Sequence, residues 1–326
     1  MRPHGVRPLC FLTLALAVGC VPVPVVSTPE VGYRREIQSG GFVRYGAGDQ
    51  VAGDMEIAAR TYRGPGNAEV RLVAMVHFGD ASFYEQVRKE LDEADAVLFE
   101  GVKSDEDEES ALDSMQPMLE MVEESTGLVY QADALPVGDD PGFVWADLAS
   151  AELEKAAEAL GVPLLPDVSA AAIAVAVGAI RALMVLSGLD DEEKKLVFRH
   201  LLADLLAGGS PDADRIREAL KAYRAPVGLD PKALDALELK LAGEGLADGE
   251  IEDMRTTIAQ DYCILVLRND RVMEVLDEVL DEGEAKRVVI LYGAEHMWDL
   301  AERLEARGWR QVRQRWRTAW RVQSLR

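Results

Sequence analysis

The sequence predicts an α/β fold on the border of α+β. Two β-α-β-like halves form a mixed central sheet, and a helical insertion at about residues 108–282 separates them. Three observations predict this. Two buried-type apolar runs, Val70–Val76 and Arg287–Tyr292, lie far apart in the chain, and each leads into a helix-periodic segment. Each run feeds a histidine, His77 or His296, as in an internal pseudo-repeat. The chain between them is a succession of helical segments bounded by N-cap and glycine signals.

The first element is not part of the fold. Residues 1–19 read as an export signal: Arg2 and Arg7, an apolar run from Pro8 to Val18, then the small Gly19. That run is too short to span a membrane. Leu16-Ala17-Val18-Gly19-Cys20 has the layout of a bacterial lipobox, with Ala17 where leucine is usual. Cys20 is therefore the expected lipidation site. The protein is expected to be exported and held to the cell membrane by its N-terminal lipid, each buried methylene adding about 0.8 kcal/mol. Residues 20–40, with Pro22, Pro24 and Pro29, read as an extended tether. Domain residues follow from 41 to 326.

The domain opens with β signals. Gly41–Tyr45 reads as a short strand. In Met55–Tyr62, Met55, Ile57, Ala59 and Thr61 alternate with Glu56, Ala58, Arg60 and Tyr62, which predicts a half-buried strand. Gly64-Pro65-Gly66-Asn67 is a turn. Val70–Val76 follows as a more buried strand. Phe83, Val87 and Leu91 set the helical period of Ser82–Leu91, and Ala94–Val102 reads as a second apolar strand. The middle predicts helices over Glu108–Ser125, Trp145–Leu160 and Ser169–Leu186, the last apolar all round but interrupted by Arg181. A helix ending at Gly208-Gly209 precedes two with N-cap and first-turn proline pairs, Ser210-Pro211 and Asp230-Pro231. A long helix spans Glu250–Leu280 with a break near Asn269-Asp270. The α/β pattern returns with Arg287–Tyr292, a helix from Met297 to Arg307 closed by Gly308, and one or two strands over Trp309–Val322. The arginines of that tail fit a solvated edge strand better than a nucleic-acid patch.

Charge narrows the partners. Loss of the signal removes Arg2 and Arg7 from 35 basic residues and none of the 58 acidic ones, so the formal charge moves from −23 to −25. Such a chain repels phosphate backbones, so no nucleic acid is expected as a partner. The acidic run Ser104–Glu109 reads as a solvated loop. With Cys10 in the signal and Cys20 acylated, Cys263 stands alone and no intrachain disulfide can form.

His4 leaves with the signal, and His200 sits in a helical segment as a surface or boundary residue. His77 and His296 remain, both at carboxyl ends of strands, where α/β sheets collect ligands. Glu100 ends the strand after His77, an awkward place for a buried carboxylate without a partner. Two chemistries suit this trio. His77, His296 and Glu100 can hold a hydrolytic divalent metal with an open position for water. Alternatively one histidine acts as a general base tuned by Glu100, with no metal.

Val73-Ala-Met-Val-His77-Phe-Gly, the helix Phe83–Leu91 and the strand ending in Glu100 resemble the opening of the TraB/GumN family, related to PrgY and to the TIKI proteins of animals. That opening is a Gly-x-x-His on a strand, a helix, then a strand ending in Glu. Gly293-Ala-Glu-His296 resembles the second Gly-x-x-His, and Gly127–Gln131, Ala146-Asp147-Leu148 and Leu267-Arg268-Asn269 resemble further landmarks in order. The resemblance covers roughly residues 41–326. Ala74 departs from it, standing where the first motif has glycine, which predicts a more crowded site. The resemblance implies a fold of two β-α-β halves and, through TIKI, a metal-dependent peptidase using manganese, cobalt or zinc. Through erythromycin-esterase-like and ChaN-like relatives it implies a metal-free hydrolase or a haem binder. Through PrgY it implies a regulatory lipoprotein that binds a peptide. It carries the site onto His77, Glu100 and His296, makes Arg268 an orienting group for a substrate carboxylate or the transition state, and adds Asp147 and Glu295 as weaker members. Asp147 equally reads as the cap of a helix over residues 147–160.

Overall fold

The computed structural model describes residues 35–36, 41–47, 53–101, 111–135, 142–164, 189–207, 212–283 and 285–322. The export signal, Cys20, the acidic run at 104–109, the apolar segment at 169–186 and the Ser210-Pro211 pair lie outside them. Strands β1 (Arg35–Glu36), β2 (Val43–Ala47), β3 (Gly53–Arg63), β4 (Glu69–Met75) and β5 (Phe78–Gly79) lead into helix α1 (Ala81–Leu91) and strand β6 (Ala96–Phe99). Helix α2 (Ala111–Thr126), strand β7 (Val129–Tyr130), helix α3 (Gln131–Ala134) and strand β8 (Phe143–Trp145) follow. Then come α4 (Ser150–Leu160), α5 (Asp191–Ala207), α6 (Ala213–Lys221), α7 (Pro231–Gly243) and α8 (Asp248–Asp261). α8 continues through a π-helical segment (Tyr262–Leu267) into α9 (Arg268–Asp281). The chain closes with β9 (Arg287–Gly293), a 3-10 turn (Ala294–His296), α10 (Met297–Ala306) and β10 (Arg310–Val322).

The fold is α/β, as the sequence predicts. Its main sheet runs β1-β2-β3-β4-β9-β6-β8, with β10 along β3, and β5 pairs with β7 in a second small sheet. β4, β9, β6 and β8 are parallel neighbours. β10 is antiparallel to β3, and β3 is antiparallel to β4, so β10 runs with the parallel set. The two predicted β-α-β units are therefore present but interleaved. β4-α1-β6 steps over β9 in one direction, and β9-α10-β10 steps over β4 and β3 in the other. Adjacent parallel strands whose connections leave in opposite directions define a switch point, and a crevice opens at their carboxyl ends. β9 can occupy the centre because Val288, Val289, Ile290 and Leu291 are apolar toward both faces, and all four are buried.

Two apolar cores form. The larger encloses the sheet with α1, α9 and α10, and Leu202 and Ala203 of α5 join it. The second packs α4, α6, α7, α8 and the π segment around Leu234, Ile258 and Val266, with Trp298 reaching in from α10. Among the described residues no helix is long and apolar enough to cross a membrane.

Several local expectations change. The tether was expected to run to residue 40, but Arg35–Glu36 pair with β2. β3 is buried on both faces rather than one: Ala58 and Tyr62, expected on the open face, are both 0% exposed because the larger core encloses them as well as Ile57. Trp145 ends strand β8, and the helix expected to begin there starts at Ser150, because pairing with β6 keeps Phe143–Trp145 extended. α7 has the expected cap, with Asp230 accepting from the Ala233 amide at 2.7 Å, whereas the helix expected after Ser210-Pro211 begins at Ala213. The break expected near Asn269-Asp270 is displaced to the π segment just before it. β10 is one strand with two register shifts, solvent-exposed from Arg310 to Arg315, but its Arg317 is buried. α10 ends as expected, with Gly308 at φ +83° and the Trp309 amide bonded back to Leu304.

Candidate active site

The four parallel strands release their chains at one edge of the sheet, and each brings a polar residue there. His77 lies two residues past β4, Glu100 follows β6 directly, Asp147 lies two past β8, and His296 closes the turn after β9. The fifth contributor comes from the helical side. The π segment buries Tyr262, Cys263 and Val266, and the next two residues, Arg268 and Asn269, are turned fully inward. A π segment widens the helix and re-aims the side chains after it, which is why such segments recur at functional sites.

Arg268 is the hub. Its guanidinium is 1% exposed and donates from Nε to Asp147 Oδ1 at 2.8 Å, and from Nη2 to Asp147 Oδ2 at 2.6 Å and Glu100 Oε1 at 2.8 Å. Asp147 also accepts from the Gly101 amide at 2.9 Å and the Leu148 amide at 2.8 Å. It is thus an ion-pair partner within the network, and Ala149 stands at the helix cap assigned to Asp147 from sequence. Glu100 Oε2 accepts from the Gly293 amide at 2.6 Å. A Cβ at residue 293 would lie 3.3 Å from that oxygen, so glycine lets the β9 backbone close on the carboxylate. Burial pushes the Glu100 carboxyl up, but Arg268, His296, the Gly293 amide and His77 outweigh it and hold it at about 2. Arg268 is pushed far the other way: burial opposes its charge, but Asp147 and Glu100 more than compensate.

His296 is 4% exposed. Burial drives its pKa down to about 4, with Glu100 pulling up and Arg268 pulling further down. It is neutral at pH 7, and the network assigns its tautomer. Asn269 directs Nδ2 to the His296 carbonyl at 3.2 Å and to Asp299 Oδ2 at 2.8 Å. That leaves Asn269 Oδ1 to face the ring, 2.8 Å from His296 Nδ1, so Nδ1 carries the proton. Nε2 then presents a lone pair, 3.4 Å from Arg268 Nη1 and 3.8 Å from Glu100 Oε1. Tyr292 packs edge-on to the ring and donates its hydroxyl to the Ala146 carbonyl at 2.5 Å. Asp299 is itself held by Arg224 at 2.5 Å and Arg303 at 2.6 Å.

The sequence candidates are mostly brought together. Glu100, Arg268, Asp147 and His296 form one buried network. His77 is half-buried beside it, close enough for its charge to act on Glu100, with its backbone carbonyl bonded to the Gln131 amide at 2.7 Å. Glu295 is not part of the network. It is exposed in a crowded recess that pushes its carboxyl up, partly offset by Arg217. Ala74 is fully buried in β4 opposite Tyr292, the residue that packs on the His296 ring. Sequence reasoning missed one member, Asn269, and one perturbed acid outside the network, Asp261. Asn269 was noted only as a neighbour of Arg268, yet it orients His296. Asp261 ends α8, and burial with the charge of Glu295 raises its carboxyl to about 7. The signal for both was an acid or amide beside an otherwise apolar helical run, Tyr262–Leu267.

As a metal-ligand set the trio fits poorly. Both Glu100 oxygens are already bonded, and Arg268 puts a fixed positive charge against Nε2, where a second cation would be repelled. Among the described residues no three His, Cys, Asp or Glu side chains are grouped to hold an ion. Compared with protein-family models, curated proteins and solved structures, the chain matches none.

Proposed function

We propose that this chain is a lipid-anchored hydrolase of acyl bonds, peptides first, with His296 as a general base that works without a metal. The observation that carries the reading is the fixed neutral tautomer of His296, with Asn269 on Nδ1, which leaves Nε2 as the accepting nitrogen, 3.4 Å from Arg268 Nη1. A water that takes the place of the Arg268 contact at Nε2 gives its proton up there, and positioned general bases contribute roughly 10²–10⁴-fold. The imidazolium that forms gains from Glu100, 3.8 Å away, which offsets the repulsion of Arg268 at 3.4 Å. Arg268 acts by holding Glu100 ionised and both carboxylates in place through its Nε and Nη2, while its Nη1 faces His296 Nε2. That role replaces direct contact with a substrate carboxylate. The anchor rests on the sequence around Cys20 and is tested by palmitate labelling, which Cys20→Ser should abolish.

The decisive experiment assays the full chain in detergent against peptide and ester panels, with and without exhaustive chelation, beside His296→Gln. Activity that survives chelation and falls at least about 100-fold in His296→Gln supports the reading. Activity lost on chelation and restored by manganese, cobalt or zinc refutes it in favour of a metal-dependent peptidase held by His77, Glu100 and His296. Absence of turnover together with stoichiometric haem or peptide binding refutes it in favour of a regulatory binder.

A further inference from the structure

The last strand concentrates positive charge in an acidic protein. From Ala306 to the C-terminus there are seven arginines and no aspartate or glutamate, in a chain with 58 acidic residues. Among the described strands β10 pairs only with β3, so it forms an edge of the sheet. Its C-terminal half is covered. The Ala319 carbonyl accepts from the Asp80 amide at 2.7 Å, and the Arg321 carbonyl from Arg199 Nη1 at 3.3 Å. Its first six residues, Arg310–Arg315, are all exposed.

Register gathers that charge on one face. Arg310 lies opposite Arg63, Arg313 opposite Thr61, and Arg315 opposite Ala59. Alternate residues of a strand project to the same side, so Arg63, Arg310, Arg313 and Arg315 form one stripe. Arg315 is shared with Glu90 at 3.3 Å. Arg63, Arg310 and Arg313 enter no ion pair among the described residues. The register shift between Gln311 and Arg313 leaves Val312 out of the ladder, 50% exposed among the arginines. Physiological salt screens charge beyond about 8 Å. A surface that meets this edge therefore feels the stripe more than the acidic remainder of the protein.

We infer that the Arg310–Arg315 edge, together with Arg63, rests on anionic phospholipid headgroups and so fixes how the domain faces the membrane. Guanidinium groups without carboxylate partners complement a negative bilayer surface, and an exposed valine among them suits the boundary below the headgroups. An acidic peptide added as a further strand fits less well, because the bulge at Val312 interrupts the edge it would pair with. A second copy of the chain would set arginine against arginine. The anchor has the reach: Cys20 is fifteen residues before Arg35, at most roughly 50 Å of chain. By strand length and spacing, β1 lies roughly 30 Å from Arg310. The inference deepens the lipid-anchor part of the proposed function and uses nothing of its hydrolase part.

The test is cosedimentation of the full chain carrying Cys20→Ser, so that binding does not depend on acylation. The vesicles are phosphatidylcholine alone, or phosphatidylcholine with about a third phosphatidylglycerol, at physiological salt. Each arginine near an anionic surface raises partitioning about fivefold, so the chain should favour the anionic vesicles at least about tenfold. Changing Arg310, Arg313 and Arg315 together to Gln should cut that preference about tenfold or more, with unchanged melting. Changing the exposed Lys155, Lys232 and Lys240 of α4 and α7 to Gln alters net charge equally and should leave the preference intact. Three results overturn the inference: no preference in the parent, a preference retained without the β10 arginines, or an equal loss in the lysine variant. Binding of a polyglutamate peptide that needs the β10 arginines, without any vesicle preference, overturns it in favour of an acidic partner. Palmitate labelling at Cys20 is read separately, so failure of the anchor and failure of the docking edge are distinguishable.

Discussion

Arg268→Met removes the hub of the site and keeps its volume. In the variant, Glu100 at 7% exposure and Asp147 at 1% lose their shared counter-charge. Breaking a buried pair costs about 3–5 kcal/mol. An independent route gives a similar figure. Glu100 is held at about 2 against an ordinary value of 4.5, and at 1.36 kcal/mol per unit that difference is about 3 kcal/mol. In wild type this stability is complete above pH 4.5 and is lost as pH falls toward 2. Without Arg268, burial becomes the dominant influence on Glu100 and its pKa rises above the unfolded value. The sign then reverses: the variant is penalised at high pH and recovers as the carboxyl protonates. Urea unfolding followed by tryptophan fluorescence, at pH 7.5 and pH 5, measures both effects. The expected deficit is about 3–5 kcal/mol at pH 7.5 and clearly less at pH 5. A deficit under about 1 kcal/mol, the scale of exposed pairs, or one that does not shrink on acidification, refutes the account of Arg268 as the charge that keeps this edge of the sheet together.

Other outcomes follow from the same geometry. His296 titrates near 4 when folded and near 6.5 when unfolded. Wild type should therefore lose about 3 kcal/mol as pH falls from 6.5 to 4, and His296→Gln should flatten that slope in pH-dependent melts. Gly293→Ala should cost about 1–2 kcal/mol by crowding Glu100 Oε2 and lengthening the 2.6 Å amide bond, without changing backbone φ preference at −53°; unchanged urea midpoints would contradict this. Asp261 is raised to about 7, so it costs stability increasingly as pH climbs from 3.8 through 7. Asp261→Asn should be more stable than wild type at pH 8, by on the order of a few kcal/mol at most, and nearly equal to it at pH 4, measured by thermal melting.

Much of the fold was legible because it is written in runs. The apolar strands β4 and β9, the α1 period of Phe83, Val87 and Leu91, and the Asp230-Pro231 cap each declare themselves within a dozen residues. The two-residue strands β5 and β7 and the three-residue β8 do not, since pairing partners rather than local sequence keep them extended. Interleaving of the two units was also hidden: nothing in Val288–Leu291 says that β9 inserts between β4 and β6, only that both its faces are covered. At the site, strand-end positions pointed to His77, Glu100 and His296, while Arg268 and Asp147 came by resemblance. Their pairing joins residues 121 apart in sequence through a π segment, and neither composition nor period encodes that geometry. Asn269 escaped because an amide beside an arginine carries no signal until the helix that bears it is widened.

The position of β9 has a consequence for how the molecule is made. β4 with β3, and β6 with β8, share no ladder until β9 slides between them, and Glu69 waits for Arg287 to be synthesised. Through most of its biogenesis the chain therefore carries two half-sheets with open inner edges, the kind of surface on which other chains nucleate aggregates. Closing so long a loop is slow, which lengthens the exposure. A polypeptide interrupted anywhere before Arg287 has neither the strand that unites the halves nor His296. The central strand thus doubles as a checkpoint that admits only the nearly finished chain to the folded state.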